Sequence, residues 1–250
     1  MAPADPPAPA RAGGRSLHSR HRAGLPRLEA GGPLMVGGIA GIAALFTFAA
    51  LAYSVVAQAT APLDVAMLAW LHQLRGPLLD AAARGFSALG GEGTVVVLGI
   101  LCGGLWLRGR RGAAVQLLVA AGGAWGLNSV LKVCFQRARP EQLAPLLSPQ
   151  AFAFPSGHAM VAAAVYGFLV YLLWQRLRGW RRLAGLVAAL LLVVLIGWAR
   201  LYLGAHYPTD VVAGYLAGFA WVDTVLLGGH LLRRRRAPRL APGPSPTYTP

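Results

Sequence analysis

The chain has 250 residues, of which 56% are hydrophobic and only 12% charged, with a formal net charge of +15. So apolar a composition excludes an ordinary soluble domain of this length. The positive charge does not mark a nucleic-acid binder, because most of it lies in tails and in short connections between apolar runs, where basic residues set membrane topology.

In chain order, residues 1–32 are rich in Pro, Ala, Gly and Arg and contain no apolar core, which reads as a disordered basic cytoplasmic tail. Six apolar runs follow, at about 34–56, 94–107, 113–133, 158–175, 183–201 and 210–232, most of them near the length that crosses a bilayer. The second is the weakest, being short before Arg108. No short segment with a cleavage site precedes the first, so it reads as an uncleaved anchor. Between the first two runs, the pattern suggests short amphipathic helices along the interface. The Pro-rich stretch 237–250 reads as a second disordered cytoplasmic tail. The fold class is therefore all-α: an integral membrane bundle of six transmembrane helices occupying 33–236. Cys102 and Cys134 suggest no disulfide framework.

Basic residues alternate along this layout. The first tail, the connection holding Arg108, Arg110 and Arg111, the connection holding Arg176, Arg178, Arg181 and Arg182, and the run Arg233 to Arg236 with Arg239 all read as cytoplasmic. The remaining connections then face outward, and three polar clusters fall in or beside them. Lys132 to Arg139 follows the third run. Ser156-Gly157-His158 opens the fourth. Arg200, His206 and Asp210 span the turn between the fifth and sixth. Segments some 75 residues apart thus meet at one membrane face.

The chemistry of these clusters is that of an anion site. Lys132 is the single lysine among 23 basic residues, and an ammonium kept in an arginine-rich chain points to a need for a compact charge. Lys132, Arg139 and Arg200 form a cationic nest suited to a phosphoryl group; Arg137 either joins it or snorkels to lipid headgroups. Ser156 and Gly157 at a helix start offer a hydroxyl and backbone N–H groups to an anion. His206 and Asp210, four apart, allow the carboxylate to orient the imidazole. A metal held by the two histidines and the aspartate is the competing reading, opposed by the surrounding cations and by the lack of a second carboxylate cluster. Asn128, one turn before Lys132, is placed to bond its ammonium. Asp223, inside the sixth run, is expected to pair with a cytoplasmic arginine. His18, His21, His72 and His230 lack partner sets and read as ordinary.

Lys-x6-Arg-Pro, Pro-Ser-Gly-His and Arg-x5-His-x3-Asp, in this order, resemble the three-part signature of the type-2 phosphatidic acid phosphatase superfamily. These are membrane lipid phosphatases with six spanning helices, related in their core to soluble acid phosphatases and vanadium haloperoxidases. The resemblance covers about residues 94–220. It implies that Lys132, Arg139, Arg200, Ser156 and Gly157 bind the phosphoryl oxygens, that His206 attacks phosphorus with Asp210 orienting it, and that His158 protonates the leaving alkoxide and then activates water. The family often carries serine before the third-motif arginine; here Ala199 stands there, so one hydroxyl is lost and the support of the site is altered.

The expected activity is a metal-independent lipid phosphatase, without cofactor, working on phosphatidylglycerophosphate, phosphatidic acid or undecaprenyl diphosphate through a phosphohistidine. Its partners are then the lipid substrate and the bilayer, not nucleic acid. The expected location is the plasma membrane, multi-pass, with both termini cytoplasmic and the site facing the periplasm or outside. Two alternatives are a phosphotransferase of the same fold passing phosphate to a lipid or sugar hydroxyl, and a non-catalytic protein that binds anionic lipid.

Overall fold

The computed structural model describes residues 31–140 and 152–236; both expected tails and Glu141 lie outside the described residues, apart from the start of the first helix. The described residues form eight helices: α1 (Gly31–Val56), α2 (Ala61–Gln73), α3 (Pro77–Gly90), α4 (Glu92–Leu107), α5 (Arg111–Phe135), α6 (Gly157–Arg176), α7 (Gly179–Tyr202) and α8 (Pro208–Arg236). Among them, α1, α5, α6, α7 and α8 are each long and apolar enough to cross a membrane. The weak second run becomes a sixth crossing only when α3 and α4 are taken together, as one span bent by 46° at the Gly90–Gly91 break. The chain is an integral membrane helical bundle.

α6 and α8 form its centre, with α1 and α5 against α8 and α7 against α6. Glycines set how close they come. A Cβ at Gly214 would lie 2.6 Å from the Ser156 carbonyl oxygen, and one at Gly218 would run into that of Met160. The paired small residues therefore let the start of α8 touch the backbone of α6, the usual device for close helix packing in lipid. Val165, Phe168, Leu117 and Ala213 fill the core between these helices.

The two helices in the stretch where interfacial helices are expected, α2 and α3, differ in character. α3 is amphipathic, with Ala83, Ser87 and Gly90 turned inward. α2 is inverted: Asp64, Leu68 and Leu71 are buried, while Leu63, Met67 and Trp70 are exposed. At the far end of the bundle the basic connections converge. Arg110 donates to Gln175, and Arg233 to Gln116 and the Tyr171 hydroxyl.

Asp223 departs from the sequence expectation. Among the described residues it makes no ion pair with arginine; its carboxylate lies against α1 where Gly37 and Gly41 leave space. Depth explains this, since Arg233 stands ten residues further along α8, about 15 Å at helical rise.

Candidate active site

Local folding brings the three motifs to one place. α5 ends at Phe135, with Lys132 in its last turn and Gln136 in the left-handed conformation that redirects the chain. Ser156 caps α6, and its N–H donates to the Asp210 carbonyl oxygen at 2.9 Å, tying the second motif to the third. α7 carries Arg200 in its last turn and ends at Tyr202, two residues before Gly204, whose φ of +69° a side chain would resist. Pro208 then opens α8, and Asp210 in its first turn accepts from the Tyr207 N–H at 2.8 Å, as one half of a capping box does.

Lys132, Arg139, Gly157, His158, Arg200 and His206 line one cavity of about 590 Å³. Its other wall is mainly apolar, with Val95 and Leu98 from α4, Ala121, Gly122 and Trp125 from α5, and Val161 from α6, joined by Glu92 and Thr94 at the start of α4. Ser156 and Asp210 sit directly behind the charged wall, both fully buried. Ser156 Oγ and Arg200 Nε are buried and have no hydrogen-bond partner among the described residues. Buried donors of this kind are costly unless something accepts from them. An anion in the cavity is such an acceptor.

His206 is almost entirely enclosed. Its Nδ1 stands 3.6 Å from Asp210 Oδ2, close to but beyond hydrogen-bond length. Burial pushes its imidazole down to about 4; Asp210 opposes the shift, and Arg200 and Arg139 add to it. The ring is therefore neutral at physiological pH. Arg139 is likewise lowered by burial, against the pull of Asp210. His158 lies against the Gly90–Gly91 break: a Cβ at Gly91 would come within 2.9 Å of its Nε2. The glycines that bend the second span are thus also what makes room for this ring.

Three features differ from the sequence reading. Arg137 neither lines the cavity nor snorkels. Its Nη2 donates to Asp64 Oδ2 at 2.7 Å, its Nη1 to Asp210 Oδ1 at 2.6 Å, and it lies over the Tyr207 ring. Burial disfavours its charge, but Asp210 and Asp64 together raise its pKa above the ordinary value. Asn128 donates to the Pro155 carbonyl oxygen at 3.1 Å rather than accepting from the Lys132 ammonium, and so holds the second motif against α5. The position before Arg200 is Ala199 and carries no hydroxyl, and Arg200 Nη1 donates to buried Ser87 on α3 at 2.7 Å, a partner outside the three motifs. Ser87, Gly90, Gly91 and Asp64 all lie outside the three motifs. The only signal for any of them was the Gly-Gly pair before Glu92. Among the described residues, no cluster of three or more His, Cys, Asp or Glu is arranged to hold a metal ion.

The PAP2 superfamily matches residues 113–231. Phosphatidylglycerophosphatase B of Bacillus subtilis (strain 168) is 34% identical over 149 residues, covering 58% of this chain and 72% of that protein. The chain belongs to the PAP2 superfamily. The decaprenylphosphoryl-5-phosphoribose phosphatase of Mycobacterium tuberculosis (strain H37Rv) is 32% identical over 64% of this chain and 87% of its own length. The crystal structure of a transmembrane PAP2-type phosphatidylglycerolphosphate phosphatase from Bacillus subtilis superposes with a TM-score of 0.71 at 30% identity, covering 78% of this chain and 98% of that one. This PAP2 protein is accordingly a membrane phosphatase, and the cavity that unites its three motifs is the candidate active site.

Proposed function

We propose that this PAP2 protein hydrolyses a phosphomonoester or diphosphate carried on a lipid anchor, by way of a phosphohistidine on His206 and without a metal ion. One observation carries the lipid reading. The cavity joins the cation cluster to an apolar wall, and two members of that wall, Val95 and Trp125, are exposed on the outer face of the bundle. A substrate with a charged head and a hydrocarbon tail fits both halves. A water-soluble phosphate ester has no use for the second.

In this reading Lys132, Arg139 and Arg200 bind the phosphoryl oxygens, with the Ser156 hydroxyl and the Gly157 N–H at the start of α6 completing the cradle. The Asp210 side turns Nδ1 of His206 inward, leaving Nε2 as the nucleophile. As Nε2 bonds to phosphorus and the P–O bond breaks, His158 gives a proton to the departing oxygen, an alkoxide from a monoester or the lipid monophosphate from a diphosphate; it then takes one from the water that releases phosphate. The cations act on the charge that builds on the equatorial oxygens in the transition state. Phosphatidylglycerophosphate, phosphatidic acid and undecaprenyl diphosphate all satisfy this chemistry. The alternating basic connections support placing both termini in the cytoplasm of a plasma membrane, with the cavity on the other side.

The experiment is an acid–base quench after mixing enzyme with phosphatidic acid carrying a radiolabelled phosphate. The proposal expects a protein-bound label that is labile to acid and stable to base, absent from His206→Ala. Turnover with no such intermediate under single-turnover conditions contradicts it, and label appearing on an added lipid or sugar hydroxyl instead of free phosphate identifies a phosphotransferase.

A further inference from the structure

Behind His206 lies a buried charge network that reaches outside the three motifs. We propose that Asp64 on α2, acting through Arg137, is a positioning residue for phosphoryl transfer: the pair fixes the Asp210 carboxylate and, through it, the His206 ring. This rests on the chemistry proposed for His206.

The geometry leaves the network little freedom. Asp64 is fully buried, and both of its oxygens are engaged: Oδ1 accepts from the Thr209 N–H at 3.1 Å, and Oδ2 from the Thr209 hydroxyl at 2.7 Å, from Arg137 at 2.7 Å and from Thr60 at 3.2 Å. The Arg137 fork is held by both carboxylates; its Nη1 also donates to the Thr209 hydroxyl at 2.8 Å, and its Cζ lies 4.3 Å from the Tyr207 ring centroid. Asp210 is then fixed on both sides, by Arg137 at Oδ1 and by the Tyr207 N–H at Oδ2. Its distance to His206 is set by partners other than His206. One guanidinium between two carboxylates, all largely out of water, makes the pairing strong and directional. Removing the Asp64 charge leaves Arg137 with Asp210 alone and draws that carboxylate off its setting.

If the network only anchored α2 to the start of α8, a variant would melt earlier and each folded molecule would turn over normally. A positioning role instead lowers kcat and spares KM, because Asp64 and Arg137 do not line the cavity. The test uses the full chain in detergent with short-chain phosphatidic acid, phosphatidylglycerophosphate and undecaprenyl diphosphate, taking kinetics on the fastest. Asp64→Asn and Arg137→Lys should each lower kcat about 10–100-fold, as loss of an orienting partner does elsewhere, with KM within about threefold. The double variant should fall little below the worse single one, because the two act as a unit. Turnover within about threefold of wild type in either single variant, a loss confined to KM, or multiplicative losses in the double would overturn the assignment. Should Asp64→Asn not fold, Arg137→Lys decides alone: it keeps the positive charge and removes the fork that holds both carboxylates, and an unchanged kcat there contradicts the proposal. His206→Ala is run alongside. Activity in that variant, or none in wild type on any lipid, sinks the underlying chemistry; a silent His206→Ala beside a fully active Asp64→Asn sinks this inference alone.

Discussion

At His206, enclosure and the Arg200 and Arg139 charges keep the imidazole neutral down to about pH 4. The sign follows from the shift: a histidine whose folded pKa lies below its ordinary 6.5 stays deprotonated through the window from 6.5 to 4, and gains its proton only below it. In NMR of histidine-labelled protein, the Cε1 resonance that vanishes in His206→Ala should titrate near 4; a midpoint near 6.5 would show that enclosure does not lower it. Two substitutions probe the neighbouring groups. Lys132→Arg should cost about tenfold or more in kcat/KM, because a planar fork does not reproduce a point charge; an unchanged value would end the argument from the lone lysine. Gly91→Ala places a methyl 2.9 Å from His158 Nε2, and displacement of an acid–base group by even a fraction of an ångström predicts a kcat about tenfold lower at similar KM. Unaltered kinetics would mean the ring has room to give.

Among the elements, the contact of α6 with α8 places the second motif on the third. Gly214 is the closest point, so Gly214→Ala must push the Ser156 carbonyl away and with it the bond from Ser156 N–H to Asp210. Overpacking of this kind costs about 1–3 kcal/mol, and the variant should show a lowered melting temperature together with reduced turnover. A wild-type melting curve would show that the helices part without cost. The spans themselves were legible because hydrophobic runs broken by charge are read directly from composition. α2 was not legible in the same way. Its buried carboxylate and exposed Met67 and Trp70 invert the usual pattern, so nothing in its periodicity says that Asp64 faces inward. The bent α3–α4 pair was half visible, because α4 alone is too short to cross and the role of Gly90–Gly91 depends on where His158 packs.

The whole molecule is an apolar bundle with the candidate site at one end and the arginine-rich connections at the other. The motif residues could be read from sequence since each type at its spacing has a chemical reason, and topology alone brings them to one face. Arg137 could not be assigned: only the fold reveals that two distant carboxylates flank it, one of them 73 residues before it. The proposed orientation has its own check. In a chain without its native cysteines, an impermeant maleimide added outside intact cells should label a cysteine at Gln73 and miss one at Arg178; the reverse pattern would invert the protein in its membrane. Metal-independent phosphatase chemistry on His206 is decided by phosphate release from phosphatidic acid, phosphatidylglycerophosphate and undecaprenyl diphosphate in detergent with excess EDTA, wild type beside His206→Ala. Wild type should release phosphate from at least one lipid, unaffected by the chelator, and His206→Ala none above background. Equal release by the two proteins, or release abolished by EDTA and restored by a divalent metal, would contradict that chemistry.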